Sequence, residues 1–376
     1  MESANFEFII VGGGIAGASA GYELARHGRV LLLERESHPG YHTTGRSAAM
    51  FSEVEGLPLI RRLARASRAF FESPPAGFCE HPLLRPRGAL HVGTSGQATS
   101  LDMIFDEMAA FSPAARLLDG DEARRRVPVL GKDVVGAAWD PDARQVDVDG
   151  LLGGFLRGLR RGGAKLLCDA EVRGIEKRGG QWRIESRAGR FVAPILINAA
   201  GAWADEIARH AGVATIGVVA NRRTAILFRP STDYDVRKWP MVMDVDGQYY
   251  FRPEAGKILA SPVDEVPVPP CDVQPEEIDV AIAVDRIETA TTMHVGRVDH
   301  KWAGLRSFVA DKLPVNGFDE NIPGFYWLAG QGGAGIMTAP AMGRFCAATI
   351  AGDGMPGDMA GLGLNPEQLS PARLGR

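Results

Sequence analysis

A glycine-rich loop between a buried strand and a helix, close to the start of the chain, constrains the fold most strongly. Residues 6–11 are apolar except for Glu7 and are rich in β-branched and aromatic side chains, as in a buried strand, and residues 12–17 follow with the sequence Gly-Gly-Gly-Ile-Ala-Gly. Small and apolar residues then recur at helical spacing over residues 18–27, before a second apolar run, Val30–Leu33. This order predicts a βαβ unit of a Rossmann-like dinucleotide-binding domain.

Each glycine of the loop has a physical task in such a unit. Gly12 permits the tight turn, Gly14 lets the backbone approach a pyrophosphate, and Gly17 lets the helix pack close to the strand. The helix N-terminus offers N–H groups and a partial positive charge to the phosphates. Glu34, about 20 residues further on, suits the ribose hydroxyls of an adenosine. The loop by itself does not distinguish FAD from NAD.

Later segments repeat the α/β pattern, and two stretches between them have a different character. Residues 51–140 mix helical and strand patterns, residues 216–298 alternate in the manner of antiparallel strands, and the proline-rich and acidic residues 264–278 predict an exposed loop. We therefore predict an α/β fold in which a Rossmann-like domain carries an inserted α+β substrate domain with a mostly antiparallel sheet. The predicted ranges are 1–50, 141–215 and 299–376 for the dinucleotide-binding domain, and 51–140 and 216–298 for the substrate domain.

The α/β pattern of the later segments gives specific secondary-structure predictions. These are a helix in residues 146–161, a strand at 165–168, a hairpin of residues 182–185 and 190–193, a strand from Ile195 to a turn at Gly201, and a strand at 325–330 before a helix that ends near Ile350.

Composition excludes several classes of function. The formal net charge is −4 with acids and bases intermixed, so nucleic acid is not an expected partner. No apolar run reaches the roughly 20 residues that a membrane-spanning helix needs, and we expect a soluble, cytoplasmic protein. The four cysteines, Cys79, Cys168, Cys271 and Cys346, form no CxxC pair, which predicts reduced, mostly buried thiols and no metal site.

Motifs spread over nearly the whole chain resemble the D-amino-acid oxidase superfamily, the group that includes glycine oxidase, sarcosine oxidase and D-amino-acid dehydrogenases. Besides the first loop with Glu34, they are residues 43–49 (Thr-Thr-Gly-Arg-Ser-Ala-Ala), 198–203 (Asn-Ala-Ala-Gly-Ala-Trp), 302–306 (Trp-Ala-Gly-Leu-Arg) and 330–335 (Gly-Gln-Gly-Gly-Ala-Gly). Residues 78–84 and 305–311 are in addition similar to the bacterial FAD-dependent D-arginine dehydrogenases.

The resemblance implies FAD as the cofactor. Some sarcosine oxidases attach the flavin through a cysteine shortly after the region of Arg306, but no cysteine lies between Cys271 and Cys346, so we expect non-covalent FAD. The cofactor-binding residues implied by the resemblance are Gly12, Gly14, Ile15, Ala16, Gly17, Glu34, Arg35, Thr43, Thr44, Arg46, Ser47, Ala48, Ala49, Val172, Ala200, Gly201, Trp203, Gly330, Gly332, Gly333, Gly335, Ile336 and Met337.

The resemblance also implies oxidation of the carbon–nitrogen bond of an amino acid, by hydride transfer from Cα to flavin N5, which gives an imino acid that hydrolyses to a 2-oxo acid. Arg306 would hold the substrate carboxylate, because a guanidinium binds a carboxylate in a bidentate manner. Tyr250 would assist, together with one of Arg222 and Arg223, and Gly333 would lie beside the reacting groups. Adjacent strand residues face opposite sides of a sheet, and the comparison with the family favours Arg223. No strong side-chain base is required.

Several positions depart from the D-arginine dehydrogenase pattern. Ala89 replaces the glutamate that binds the guanidinium, Met50 replaces a histidine near the flavin, Glu55 replaces a lid tyrosine and Met337 replaces a glutamine. D-Arginine and D-lysine are therefore not expected substrates, because a buried cationic side chain needs a partner. Glu55 either supplies a carboxylate from the lid or is an exposed lid residue.

Three further questions stay open at the level of the sequence. Arg85, Arg87 and His91 add positive charge near the expected pocket and are compatible with an acidic substrate side chain. Alternative functions are an FAD-dependent 2-hydroxy acid dehydrogenase and a flavoprotein subunit of a larger complex. The electron acceptor is a quinone, another carrier or O₂.

Overall fold

The computed structural model describes residues 4–375, so the ends of the predicted ranges at 1–3 and 376 lie outside the described residues. Its strands are β1 (Ala4–Asn5), β2 (Phe8–Val11), β3 (Val30–Leu33), β4 (Met50–Phe51), β5 (Leu84–Pro86), β6 (Ala89–Thr94), β7 (Arg116–Asp119), β8 (Val134–Asp140), β9 (Arg144–Val146), β10 (Lys165–Leu167), β11 (Val172–Arg178), β12 (Gln181–Ser186), β13 (Gly189–Ala193), β14 (Ile195–Asn198), β15 (Val219–Phe228), β16 (Met241–Asp244), β17 (Tyr250–Glu254), β18 (Lys257–Ser261), β19 (Val266–Val268), β20 (Val298–Phe308), β21 (Val315–Phe318) and β22 (Phe325–Ala329).

Its α-helices are α1 (Ile15–Leu24), α2 (Pro58–Glu72), α3 (Ala98–Phe111), α4 (Gly120–Arg126), α5 (Val148–Arg161), α6 (Ala204–His210), α7 (Glu277–Ala290), α8 (Gly335–Ala351) and α9 (Gly357–Ala360).

A six-stranded sheet in the order β10-β3-β2-β14-β22-β21 carries the glycine loop. Its strands pair in parallel except β21 with β22. Alternate residues of each strand enter two different cores, because successive side chains point to opposite faces. Ile10 and Leu32 pack with α1, α2, α5 and α8, whereas Ile9 and Leu31 pack with α6 and with a four-stranded sheet, β1-β13-β12-β11. The sheet therefore lies between a helical layer and a second sheet.

A second large sheet contains nine strands, with β20 and β15 at one end and β7 at the other. One face packs on α7 through apolar side chains such as Ala283 and Ile287. The opposite face carries Ala89, Met241, Tyr250 and Leu259, which form a smaller apolar cluster. This sheet is the mostly antiparallel one that the sequence predicts, and the mixed α/β fold with a Rossmann-like βαβ unit is confirmed.

Strand pairing crosses one of the predicted domain boundaries. β20, which lies almost entirely in the range assigned to the dinucleotide-binding domain, pairs over ten registered positions with β15 of the substrate range. The division of the chain into two domains at the stated residues stays a prediction.

Most predicted elements are present, with two differences. The hairpin is formed by β12 and β13, and the helices and strands around residues 148–161, 195–198 and 325–351 agree with the predictions. The interval 264–278 is not wholly a loop, because β19 pairs with β15 there despite Pro267, as is tolerated in a short edge strand. α7 lies in a range where the sequence predicts antiparallel strands. The sequence did not indicate this helix because its apolar residues are not concentrated on one face and so give no clear helical period.

The cysteines also differ from the prediction. Cys346 is buried, but Cys79 and Cys168 are half-buried and Cys271 is exposed, and all four are free.

Candidate functional site

The carboxyl ends of β2, β3, β14 and β22 open onto one cavity, whose far wall is the nine-stranded sheet. Residues that follow these parallel strands line it, among them Gly12, Glu34, Ala200 and Gly332. This is the edge at which parallel α/β sheets bind ligands, because the helices that follow the strands begin there. The cavity therefore runs from the glycine loop to the antiparallel sheet.

The glycine loop is shaped by close backbone contacts. Gly12 has φ = 109°, and a Cβ on it would lie 2.4 Å from the carbonyl oxygen of Ala199. A Cβ on Gly17 would lie 1.9 Å from the carbonyl oxygen of Gly12. By contrast, the nearest neighbour of a Cβ on Gly14 would be Thr44 Oγ1 at 3.4 Å, and Gly14 lines the cavity. Gly12 and Gly17 are thus required by the fold, while Gly14 leaves space for a ligand.

Side chains hold the loop in place around the start of α1. The backbone N–H of Gly13 donates to Glu34 Oε2 at 2.8 Å, and that of Ile15 donates to Thr44 Oγ1 at 3.1 Å. Glu34 is only 8% exposed, and its other oxygen accepts from the N–H of Glu36. The carboxylate is therefore fixed at the cavity wall by backbone donors.

An aromatic and cationic cluster closes the cavity on the Glu34 side. The guanidinium of Arg35 lies 3.9 Å from the ring centroid of Trp203, and the ring of His42 lies 4.6 Å from it. Nε2 of His42 contacts Glu36 Oε1 at 2.9 Å, whereas its Nδ1 is buried and has no partner among the described residues. A polar ligand in the cavity would satisfy this nitrogen.

Arg46 joins the loop after β3 to the nine-stranded sheet. Its Nη1 donates to the carbonyl oxygens of Ala303 and Val273, and its Nη2 pairs with Asp272. Arg46 lines the cavity, but these bonds commit its guanidinium to the protein rather than to a phosphate.

The opposite end of the cavity carries two arginines and a tyrosine. Arg306 on β20, Arg223 on β15 and Tyr250 on β17 line it together. The side chain of Arg306 makes no hydrogen bond or ion pair with any described residue, and its guanidinium lies against the backbone of Gly333. A guanidinium without a counter-ion in a cavity is suited to an anionic ligand.

Arg222 and Arg223 separate onto the two faces of β15. The Nη2 of Arg222 pairs with Asp279 at 2.8 Å, its Nη1 pairs with Glu276 at 2.9 Å, and Arg222 does not line the cavity. Arg223 donates from Nε to the carbonyl oxygen of Asp264 and from Nη2 to Glu265. Burial and the nearby Arg306 lower the pKa of Arg223 to about 10, so it stays protonated at neutral pH.

The wall between the arginines and the apolar cluster is uncharged. Ala225, Leu259 and Trp302 line the cavity there. Behind them, Ala89 is 2% exposed, and Met50 is partly buried in the same cluster. This part of the cavity therefore offers apolar contacts.

Most of the predicted site residues line this single cavity. They are Gly12, Gly14, Ile15, Ala16, Glu34, Arg35, Thr43, Thr44, Arg46, Ser47, Ala48, Val172, Ala200, Gly201, Trp203, Arg223, Tyr250, Arg306, Gly332, Gly333, Gly335 and Ile336.

Other predicted site residues do not line it: Gly17, Ala49, Met50, Glu55, Arg222, Gly330 and Met337. Gly17 packs directly against the backbone of Gly12. Gly330 has φ = 72° in the turn after β22, and Met337 is buried in α8. Ala49 is buried with φ = 56° and accepts the N–H of Val146 at its carbonyl oxygen. These residues lie outside the lining of the cavity, and their assignment as direct contacts stays a prediction.

Glu55 is neither an exposed lid residue nor a cavity residue. Its Oε1 is buried and lies 2.6 Å from His91 Nε2. Burial raises the pKa of Glu55, but protonated His91 lowers it by more, so the pKa lies below its usual value. Burial likewise lowers the pKa of His91, and the Glu55 carboxylate reverses this, so that pKa is raised. The two side chains therefore form an ion pair.

The cavity also includes residues that the sequence analysis did not assign to the site. They include Tyr41, His42, Glu171, Glu206, Leu259, Trp302 and Gln331. Trp302 and Gln331 belong to the family motifs at residues 302–306 and 330–335, and His42 stands between Glu34 and Thr43. The sequence positions of these three residues could therefore have identified them as cavity residues. Leu259 and Glu206 gave no local signal, because only the packing of distant segments brings them to the cavity.

The cavity fits a dinucleotide on structural grounds. It combines an open backbone position at Gly14, a helix N-terminus, a fixed carboxylate at Glu34, and buried polar atoms without partners among the described residues, His42 Nδ1 and Gln331 Nε2. Residues 4–375 contain no group of three or more His, Cys, Asp or Glu side chains that could hold a metal ion. They also contain no helix long and apolar enough to cross a membrane.

Comparisons with known proteins agree with this geometry. The family described as FAD dependent oxidoreductase (DAO) matches residues 7–349. An uncharacterized oxidoreductase of Bacillus subtilis is 25% identical, over 92% of this chain and 95% of its own length. Glycine oxidase of Bacillus licheniformis is 24% identical, over 93% and 94%. The crystal structure of L-proline dehydrogenase from P. horikoshii superposes with a TM-score of 0.83 at 23% identity, covering 100% of this chain and 99% of that one.

Proposed function

Because this chain belongs to the DAO family of FAD-dependent oxidoreductases, we propose that it oxidises the carbon–nitrogen bond of a D-amino acid or an N-substituted small amino acid. The observation that carries this proposal is the guanidinium of Arg306, which lines the cavity without a partner among the described residues. A carboxylate is the group that best matches the planar fork of an arginine. The substrate therefore carries a carboxylate, as amino acids do.

The two ends of the cavity have different tasks. The glycine loop, with Gly14 and the start of α1, would hold the pyrophosphate of FAD, and Glu34 would bind the adenosine ribose. Before α8, Gly333 lies beside Arg306 and Gly332 lines the same cavity, so these residues would hold the reacting part of the cofactor near the substrate. FAD, held without a covalent bond, supplies the acceptor of the hydride that leaves the substrate Cα.

Positioning accounts for most of the catalysis that this chain can provide. None of the cavity residues contributed by β15, β17, β18 and β20 is acidic or a histidine, so no general base stands beside Arg306 on that wall. The amine must reach the site unprotonated, and Arg306, Arg223 and Tyr250 orient it through the carboxylate. Loss of the hydride and an N–H proton gives an imino acid, which water hydrolyses to a 2-oxo acid with release of ammonia or, from an N-substituted substrate, of an amine.

The apolar wall indicates the substrate side chain. Ala225, Leu259 and Trp302 offer no counter-ion for a cationic group, and Glu55 is occupied by His91. Small or apolar side chains are therefore favoured over those of arginine and lysine. The similarity to glycine oxidase of Bacillus licheniformis supports a small amino acid. The particular similarity to D-arginine dehydrogenases stays a prediction. It refers to the fold and the shared motifs and does not imply the same substrate specificity.

The test is anaerobic reduction of the purified, FAD-loaded protein. Bleaching of the flavin absorbance is followed after addition of D-amino acids, L-amino acids, N-methylglycines and 2-hydroxy acids. Reduction by a D-amino acid or an N-substituted amino acid is the expected result. Reduction by a 2-hydroxy acid alone would contradict the amine chemistry, and no reduction by any compound despite bound FAD would favour a subunit of a larger complex. Reoxidation by air, or only by a quinone or another carrier, then identifies the acceptor.

A further inference from the structure

The two arginines at the substrate end of the cavity differ in their partners. Arg306 has none among the described residues, whereas Arg223 is bonded on one side by the loop that precedes β19. In that loop, the carbonyl oxygen of Asp264 accepts from Arg223 Nε at 2.7 Å, and Glu265 Oε1 accepts from Nη2 at 2.9 Å. Arg223 is 8% exposed, so Glu265 is the carboxylate that neutralises a buried cation.

No other carboxylate within residues 4–375 forms an ion pair with Arg223. The carboxylate of Asp264 accepts from the backbone N–H and the hydroxyl of Thr224 and lies 3.8 Å from Nε of Arg222. It forms no ion pair with Arg223, and its charge affects the pKa of Arg223 less than that of Glu265 does. Lys312 Nζ lies 3.5 Å from Glu265 Oε2, but its side chain is 61% exposed, so solvent and salt screen its charge. Of the two arginines that line this end of the cavity, Arg223 has an ion-pair partner in Glu265, and Arg306 has none among the described residues.

We infer that Glu265 sets the charge of the anion that this site accepts. By pairing with Arg223 it leaves Arg306 as the single uncompensated arginine among the described residues at this end of the cavity, and the site takes one carboxylate rather than two. The inference rests on the proposed binding of a substrate carboxylate by Arg306. It identifies the substrate as a monocarboxylic amino acid and makes Glu265, which does not line the cavity, a positioning and specificity-determining residue.

Electrostatics gives the direction of the effect when Glu265 is neutralised. Arg223 would keep the bond to the Asp264 carbonyl oxygen and remain in the wall, but it would lose its one ion-pair partner among the described residues. A second carboxylate on a ligand would then gain a partner, while the first would still bind Arg306. Neutralising Glu265 should therefore increase the preference for dicarboxylates, and it should not lower the affinity for all anions.

The experiment measures anion binding to the FAD-loaded protein from the perturbation of the flavin absorbance, without turnover. Butyrate and succinate have the same number of carbons and differ in one terminal carboxylate. The wild-type protein should bind butyrate at least as tightly as succinate. In Glu265→Gln the ratio of succinate to butyrate affinity should rise about tenfold, and Glu265→Asp, which keeps the charge, should remain near the wild-type ratio.

Glu276→Gln provides a matched control. Glu276 pairs at 2.9 Å with Arg222, the neighbour of Arg223 on the same strand, but on the face away from the cavity. In Glu276→Gln the ratio of succinate to butyrate affinity should equal that of the wild-type protein. An equal change in both glutamine variants, or none in Glu265→Gln, would overturn the inference. If Glu265→Gln does not bind FAD, the ratio of succinate to butyrate affinity in the wild-type protein tests the inference. Tighter binding of succinate than of butyrate by the wild type would contradict a site for one carboxylate. Failure of the proposed function would show instead as no reduction by any amine, whatever these ratios.

Discussion

The backbone of Gly333 lies against the guanidinium of Arg306, so closely that a Cβ on Gly333 would be 3.0 Å from both Cζ and Nη1. Arg306 belongs to β20 of the nine-stranded sheet, and Gly333 precedes α8 of the other layer. The arginine is thus placed by packing between two parts of the fold rather than by a hydrogen bond to a described residue. Its donors stay available for a ligand.

We predict that Gly333→Ala impairs substrate binding more than cofactor binding. The added methyl group would displace the guanidinium by a few tenths of an ångström or more, so the KM for the amino acid should rise by about tenfold, as expected for a lost charged hydrogen bond, with flavin content maintained. Gly357→Ala is the control, because it also stands at the start of a helix but no atom would lie within 4 Å of its Cβ. An unchanged KM in Gly333→Ala would show that Arg306 does not bind the substrate.

Arg306→Met should abolish most turnover while leaving the fold intact. Loss of a charge-assisted bidentate pair is expected to lower kcat/KM by about 100-fold or more. Arg306 has no partner among the described residues, so the free energy of unfolding should change by less than about 0.5 kcal/mol. Arg306→Lys should give an intermediate rate, because the ammonium keeps the charge but lacks the fork. Steady-state kinetics and thermal unfolding measure the two effects separately, and near-normal turnover in Arg306→Met would contradict the proposed role.

The parts of the fold that depend on local patterns could be predicted from the sequence. The glycine loop combines a buried strand, a turn that only glycine allows at Gly12 and a helix, so neighbouring residues carry the signal. The opposite wall is different, because Leu259 and Trp302 come from strands that are far apart in the chain and meet only in the nine-stranded sheet. Arg222 and Arg223 were predictable only in part. The alternation of side chains along a strand predicts that the two arginines lie on opposite faces of the sheet, but it does not predict which of them faces the cavity.

Long-range pairs between charged residues gave no local signal. In the sequence, Glu55 and His91 are separate candidates, one on a lid and one near the pocket, whereas the structure pairs them. Likewise, Glu265 lies in a stretch that its composition predicts to be an exposed loop, yet its carboxylate holds a buried arginine. In each case the partner is chosen by the tertiary packing, which periodicity and composition do not describe.

Two glycines of the first loop should give opposite phenotypes when changed to alanine. Gly17→Ala should prevent folding, because its Cβ would overlap the carbonyl oxygen of Gly12 at 1.9 Å. Gly14→Ala should fold normally, because its nearest neighbour would be 3.4 Å away, but it should weaken FAD binding by placing a methyl group where the pyrophosphate approaches. Circular dichroism and fluorescence titration with FAD distinguish the two. Normal FAD affinity in Gly14→Ala would place the pyrophosphate elsewhere.

The ion pair of Glu55 and His91 should make stability depend on pH. The pKa of His91 is raised above its usual 6.5, so its contribution is complete below about pH 6.5 and is lost as pH rises through the raised value. The pKa of Glu55 is lowered below its usual 4.5, so its contribution is complete above about pH 4.5 and is lost as pH falls through the lowered value. Both contributions are complete between these two limits.

His91→Gln should therefore destabilise the protein most between about pH 4.5 and 6.5, and the difference in melting temperature from the wild type should shrink at alkaline pH, where His91 has lost its proton. The expected maximum is on the order of 1 kcal/mol, because the carboxylate is partly exposed. His294→Gln is the matched control: His294 contacts Glu288 at 2.7 Å, but its side chain is 77% exposed, so solvent screens the pair and little change is expected at any pH. A destabilisation by His91→Gln that is the same at pH 6 and pH 9 would mean that His91 stabilises the sheet by packing, not by its charge.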